Sequence, residues 1–142
     1  GPDPVIIANG DQTFNFRLSD VIANFKKRNL SAGVICFDSV HPRWSYVRLD
    51  DQGLVIEAAE KRPLSRHAIA GFYYFKEGKE FVRLAMKHIE KGAEVDGQYY
   101  VAPILNEYVL ENQSVGTYMI DNSRFRSYYS IQKIEEAQRE AG

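Results

Sequence analysis

A single cysteine, Cys36, is present, so no disulfide can form within the chain. That fits a reducing compartment, and the expected location is the cytoplasm. No apolar run approaches the roughly 20 residues a membrane-spanning helix requires, and no secretory pattern stands at the start. Neither sign of charge dominates: 18 Lys and Arg against 19 Asp and Glu leave a formal net charge of −1. Nothing therefore suggests wholesale attraction to nucleic acid or to an anionic membrane. Internal repeats, low-complexity tracts and linkers are also missing. The 142 residues read as one domain, 1–142. Gly1-Pro2 reads as the scar of a cleaved tag, so the natural start is expected upstream.

What is present is enough apolar material for a real core, with Tyr and Phe dominating the aromatics. Val5-Ile6-Ile7 is an unbroken, β-branched run. It predicts a strand buried on both faces, as in a mostly parallel sheet. Asn9-Gly10 ends that strand, and Asp11 follows just past its carboxyl end, where open α/β sheets bind ligands. A carboxylate there is placed to hold a hard cation such as Mg²⁺, and equally to cap the next segment as part of a turn.

Beyond a loop at Thr13-Phe14-Asn15-Phe16, Ser19 or Asp20 can cap a helix carrying Val21, Ile22 and Phe25 on one face. Lys26-Lys27-Arg28 closes it, where cations oppose the helix dipole, so the basic run needs no polyanion. Gly33-Val34-Ile35-Cys36-Phe37 is a second buried-type strand, and Cys36 within it reads as a small core residue. Ser45 to Leu49 and Leu54 to Ala58 form a hairpin about the turn Asp50-Asp51-Gln52-Gly53. Glu60-Lys61-Arg62-Pro63 ends the second of these strands, because proline cannot continue a ladder. Ala68 to Phe75 is a further strand containing Gly71, and a glycine there often marks close approach of a ligand or backbone. Helical spacing covers Lys79 to Lys91, and Gly92 and Gly97 bracket a loop. A short helix holds Ile104, Leu105, Tyr108 and Leu110. Val115 to Ile120 is a last strand, and Ile131 to Arg139 a charged terminal helix. Strands alternating with helices give an α/β fold with one inserted hairpin.

Read separately, Asp11 offers a metal ligand, Lys61 a compact charge for a phosphate, Glu60 an acceptor for sugar hydroxyls and Gly71 room for a ligand. Each also has an ordinary reading as a turn, a solvated charge or a packing glycine. Together they carry a resemblance. Asn9-Gly10-Asp11-Gln12, Trp44-Ser45-Tyr46-Val47, Glu60-Lys61-Arg62-Pro63-Leu64-Ser65, Ala70-Gly71-Phe72-Tyr73-Tyr74-Phe75 and Tyr99-Tyr100-Val101-Ala102-Pro103-Ile104-Leu105-Asn106 follow in order. That order and spacing resemble the bacterial sugar-phosphate nucleotidyltransferases. The nearest likeness is to the glucose-1-phosphate thymidylyltransferase-like group of capsular and surface polysaccharide biosynthesis. The resemblance runs from about Pro4 to about Ile120.

The resemblance implies a partial Rossmann-like, glycosyltransferase-A-like mixed sheet with flanking helices. It implies the reaction of an NTP with a sugar 1-phosphate to give an NDP-sugar and pyrophosphate, with Mg²⁺ as cofactor. Asp11 then matches the metal-binding, catalytic aspartate. Glu60 and Lys61 match the pair that handles the sugar and its phosphate, Gly71 the glycine of the sugar pocket, and Asn9 and Gly10 line the same crevice. Two departures stand out. The family's glycine-rich triphosphate loop has no counterpart before Pro4, and its Gly-Thr-Pro-like closing motif is replaced by Ser123-Arg124-Phe125-Arg126-Ser127-Tyr128-Tyr129-Ser130. Asp121, the nearest acid there, is not expected to be a ligand. The chain thus reads as the carboxyl-terminal, sugar-binding part of such a protein, inactive by itself and expected to form a homodimer. Its partner is a sugar 1-phosphate or nucleotide sugar, and neither nucleic acid nor membrane. A non-catalytic binding module is the competing reading. A glycosyltransferase ranks third, because Asp11-Gln12-Thr13 lacks the second acid such enzymes use to hold a metal.

Overall fold

The structure, a computed structural model, describes residues 3–8, 18–92 and 101–121. The expectations that fall on Asn9, Gly10, Asp11, the loop from Thr13, Gly97, Tyr99 and Tyr100, and the terminal helix lie outside them. The elements in chain order are β1 (Val5–Ala8), α1 (Leu18–Lys27), β2 (Ala32–Asp38), β3 (Tyr46–Leu49), β4 (Val55–Ala59), β5 (His67–Phe75), α2 (Gly78–Glu90), α3 (Ile104–Leu110) and β6 (Val115–Met119). They build a six-stranded mixed sheet in the order β4-β3-β5-β2-β6, with β1 also pairing β5. Strands β1, β2, β3 and β6 run one way, and β4 and β5 the other. No helix among the described residues is long and apolar enough to cross a membrane.

Alternation along the strands divides the apolar side chains between two faces. On one face Val34, Cys36, Val47, Ile69, Tyr73 and Phe75 pack with Leu84 of α2 and Leu105 and Tyr108 of α3. On the other, Ile35, Phe37, Tyr46, Phe72 and Tyr74 pack with Val21 and Phe25 of α1. Cys36 is a core residue, as its sequence context predicts, and burial holds its thiol far above the ordinary range. Gly33 and Gly116 are cross-strand partners. A Cβ on Gly33 would lie 2.7 Å from the Phe25 ring, and one on Gly116 2.6 Å from Leu30. These two glycines let α1 and the turn after it settle directly on the sheet. The basic end of α1 is likewise structural, for the Arg28 guanidinium donates to the Asn24 side chain and to the Thr117 carbonyl.

β1 differs from its expected setting. It is antiparallel to β5, with Val5 opposite Phe75 and Ala8 opposite Phe72. It is also buried on one face only: Val5 and Ile7 pack against the α2 side, whereas Ile6 is 42 % exposed. A β-branched run reports a pleated backbone, not how many faces are covered.

The centre of the sheet is β5, which changes partner along its length. Its first residues pair with β3 (Tyr46 opposite Ala68), and its last four pair with β1. On its other side it pairs with β2, with Val34 opposite Tyr73 but Cys36 opposite Ile69. Residues 70–72 of β5 therefore bulge against Ile35 of β2. Gly71, at the middle of the bulge, has φ +76, a backbone that L side chains resist. The sheet bends here, between the start of β3 and the end of β1.

Candidate functional site

At this bend the ends of β3, β4 and β5 meet. Tyr46 pairs with both Ala59 and Ala68, so continuing the register places Ser45 across from Glu60 on one side and Ile69 on the other. The backbone confirms it: the Ile69 N–H donates to the Ser45 carbonyl at 2.8 Å, and the Lys61 N–H to the Trp44 carbonyl at 3.1 Å. The approach to Ser45 is equally held. Trp44 stands edge-on to Phe37 with ring centres 5.4 Å apart, Arg43 lies over its indole, and the Tyr46 hydroxyl donates to the His41 carbonyl at 2.6 Å.

Lys61 has φ +53. A non-glycine residue in that region is strained, and such strain gathers at functional sites. The left-handed step turns the chain sharply after Glu60, leaving the Lys61 side chain exposed. The return to β5 is then secured by Ser65, whose hydroxyl donates to the Val47 carbonyl and accepts from the His67 N–H.

Glu60 itself is half-buried, and burial pushes its carboxyl above the usual range. Three neighbours oppose that shift: the Ser45 hydroxyl, the Lys61 charge and the Ala102 backbone N–H. Burial and the nearby Glu60 charge both hold the Tyr73 phenol in its protonated form. Gly71 lies on β5 between Ile69, which anchors Ser45, and the buried Tyr73. The far edge of β4 is closed by Asn106, whose amide both accepts from Ala58 N–H and donates to Ala58 carbonyl at 2.8 Å. Together these groups form a polar corner with an apolar floor, able to accept hydrogen bonds from a hydroxylated ligand at Glu60 and to balance an anion at Lys61.

Of the residues the sequence singles out, Glu60 and Lys61 stand together at this corner, and Gly71 lies on β5 two residues past Ile69, which anchors Ser45. Asn9, Gly10 and Asp11 lie outside the described residues; β1, which precedes them, ends opposite Phe72 beside the bulge. Among the described residues no group of three or more His, Cys, Asp or Glu could hold a metal ion. Sequence reasoning assigned no role to Ser45, Tyr73, Ala102 or Asn106. Period-two alternation, which aligns Ile69, Gly71 and Tyr73, was the available signal for Tyr73.

No protein-family model matches the chain, and no curated protein matches it. Solved structures do. One is the nucleoside-diphosphate-sugar pyrophosphorylase from Vibrio cholerae RC9, with a TM-score of 0.66 and 21% identity, over 78% of this chain and 45% of that one. Another is described as a glucose-1-phosphate thymidylyltransferase from Bacillus anthracis, in complex with a sucrose. It gives a TM-score of 0.62 and 17% identity over 92% of this chain and 55% of that one. The chain thus spans about half the length of the solved structures it matches. At these identities the likeness is one of fold: the mixed α/β sheet with flanking helices is that of the nucleotidyltransferase structures.

Proposed function

We propose that the chain is the sugar-binding part of a sugar-phosphate nucleotidyltransferase, acting in the cytoplasm to supply an NDP-sugar for polysaccharide biosynthesis. The observation that carries this reading is the Glu60–Lys61 corner: a half-buried carboxyl that burial raises, followed by an exposed lysine on a left-handed backbone. An ionised carboxylate only accepts, and offers its lone pairs to sugar hydroxyls. A lysine beside it is a compact positive charge for the sugar phosphate. The fold likeness to structures bearing pyrophosphorylase and thymidylyltransferase names supports the same class.

In the reaction, an oxygen of the sugar 1-phosphate attacks the α-phosphorus of the NTP. The new O–P bond forms as the bond to pyrophosphate breaks. Glu60 orients the sugar, and Lys61 holds its phosphate in line. Gly71 leaves space beside the ring, and Asn9 and Gly10 line the crevice. Positioning and charge balance are the main contributions a protein makes to such a transfer. Asp11 is the proposed ligand for Mg²⁺, which supplies positive charge at the phosphates. Mg²⁺ takes only one or two carboxylates alongside phosphate oxygens, so a single aspartate three residues past β1 fits that chemistry without a larger cluster.

Titration calorimetry of the chain with glucose 1-phosphate and with nucleotide sugars tests the reading. Binding is expected, with no pyrophosphate release from any NTP and sugar 1-phosphate pair offered to the chain alone. Failure to bind any sugar phosphate or nucleotide sugar overturns it. Turnover by the pure chain overturns the claim that it is only the sugar-binding part.

We also propose that the chain forms a homodimer. The second edge of β1 has no strand partner among the described residues. Val82, Met86 and Ile89 form an exposed apolar stripe along α2. An apolar edge strand is a template for pairing with another chain, and a two-fold dimer is the commonest outcome. Light scattering over a concentration series decides it, and a monomer at high micromolar concentration rejects the dimer.

A further inference from the structure

We propose that the hollow lined by Ser31, Lys76, Glu77, Glu80, Tyr108 and Gln113 is a second binding site, and that it takes a small uncharged polyol. It lies at the far end of β5 from the Glu60 corner, where β5 gives way to α2 and where β2 and β6 begin. It stands apart from the reading of that corner. Its volume is about 200 Å³. A water takes roughly 30 Å³ of liquid, so the hollow has room for a molecule the size of about six waters. The group that asks for a ligand is the Tyr108 hydroxyl. Tyr108 is 1 % exposed, and its ring stacks on Phe75 with centres 5.6 Å apart. Its hydroxyl is buried and has no hydrogen-bond partner among the described residues. Leaving a buried hydroxyl unpaired is costly, and a molecule in the hollow that accepts its hydrogen removes that cost.

The walls are fixed by bonds among themselves. Lys76 N–H donates to the Ser31 carbonyl at 2.9 Å, Ser31 N–H to the Ser114 carbonyl at 2.8 Å and Gln113 N–H to the Tyr108 carbonyl at 2.9 Å. The Gln113 side-chain nitrogen donates to Glu80 at 3.0 Å, and Arg83 holds the same carboxylate. The Lys76 ammonium donates to the Asn29 side chain at 2.7 Å. The mix of groups selects the ligand. An anion would meet Glu77 and Glu80, and a metal ion would meet Lys76. A zwitterion needs free charges of both signs, but Lys76 and Glu80 are already engaged by Asn29 and Arg83. The group left over is the neutral Tyr108 hydroxyl. Burial first, and then the Glu80 charge, keeps that phenol protonated, so it serves as a donor. Tyr108 and Lys76 thus offer hydrogens, while the Glu77 carboxylate and the Gln113 amide oxygen accept them. A hydroxyl does both, and a molecule with several meets both sets without bringing charge into the hollow.

The test follows the Gln113 side-chain amide by NMR while erythritol is titrated into the nitrogen-labelled full chain. The signal is expected to shift and to saturate. Tyr108→Phe is expected to bind erythritol roughly two- to tenfold more weakly, the range for one neutral hydrogen bond. The same variant is expected to melt no lower than wild type without erythritol, because the hydroxyl it removes has no partner in the fold to lose. Glu77→Ala is expected to weaken binding as well. An amide that does not respond to erythritol, or that responds equally in Tyr108→Phe, overturns the proposal and leaves the hollow to water. Saturation by glycine and none by erythritol overturns the polyol in favour of a zwitterion. Should Tyr108→Phe fail to fold, Glu77→Ala carries the test, and unchanged affinity there overturns the proposal equally.

Discussion

Two glutamates in this molecule carry opposite shifts, and the contrast separates a structural corner from a functional one. Glu111, after α3, is partly exposed between α2 and α3, with 26% of its side chain accessible. It accepts from Arg83 and from Lys87, the latter at 2.9 Å, while Arg83 also holds Glu80. Those cations bring its carboxyl down to about 2. A neighbouring pair, Lys91 with Glu107 at 2.7 Å, continues the clasp between the two helices. Every charge there is matched within the fold. Glu60 is set differently: burial raises its carboxyl, and the hydroxyl, the N–H and the lysine charge around it do not fully offset that. A group held against its own solvation, on a strained turn, is what a binding site requires and what stability disfavours.

The largest effect that tests this contrast is on ligand affinity. Glu60→Gln is expected to weaken glucose 1-phosphate binding by about 1.5–3 kcal/mol, the range for a hydrogen bond to a charged group, and to leave stability equal or higher. Glu111→Gln should leave affinity untouched. Calorimetry paired with melting curves reads both, and equal affinity losses in the two variants would erase the distinction. Lys61→Ala should weaken binding within the same range, about 1.5–3 kcal/mol, with the fold intact. Unchanged affinity returns Lys61 to an ordinary charged turn.

Gly71→Ala comes next. The left-handed backbone costs an L-residue roughly 1–2 kcal/mol, so unfolding in denaturant should show a loss of that order. Gly53, at φ +80 in the hairpin turn with nothing near its absent side chain, should lose a similar amount on the same change. Only the Gly71 variant should also lose affinity, because only that glycine lies on the strand that anchors Ser45.

The smallest effects are in the dependence of stability on pH, and they have opposite signs. The folded state holds Glu111 at about 2 against an ordinary 4.5, so it binds fewer protons than the unfolded chain between those values. Stability from Glu111 is present above 4.5 and lost as pH falls toward 2. Glu60 is raised, so its folded form holds the proton more tightly. Its contribution is present below 4.5 and shrinks as pH rises through the raised value. Unfolding measured across acid pH should show Glu111→Gln flattening the loss on acidification and Glu60→Gln flattening the opposing slope. No change in either slope would mean that the two environments are equivalent.

Much of the fold was legible along the chain. The hairpin about Asp50–Gly53 forms as its turn residues indicate, with Asp50 accepting from the N–H groups of Gln52 and Leu54 at 2.9 Å. The helices at Val21 to Phe25 and Lys79 to Lys91 follow their apolar spacing, and Cys36 lies in the core where its neighbours put it. The composition of the corner was legible in part: Glu60 and Lys61 stand out as charges at the end of an apolar strand, and Gly71 as a glycine inside one.

Pairing register was not legible. A symmetric hairpin about Asp50–Gly53 would set Ser45 across from Ala58. Leu49 instead pairs with Val55, one residue further on, and the irregularity between Arg48 and Leu49 adds another, which carries Tyr46 to Ala59 and so Ser45 to Glu60. The bulge at residues 70–72 likewise lets β5 leave β3 for β1. Composition and period determined which residues are apolar, which turn and which carry charge, because those properties belong to single side chains and their near neighbours. Which carboxylate is half-buried, which serine stands across from it and which face of β1 stays open were decided only by the tertiary structure. Those outcomes depend on where distant strands slip past one another, and a one-residue slip moves every side chain to the opposite face.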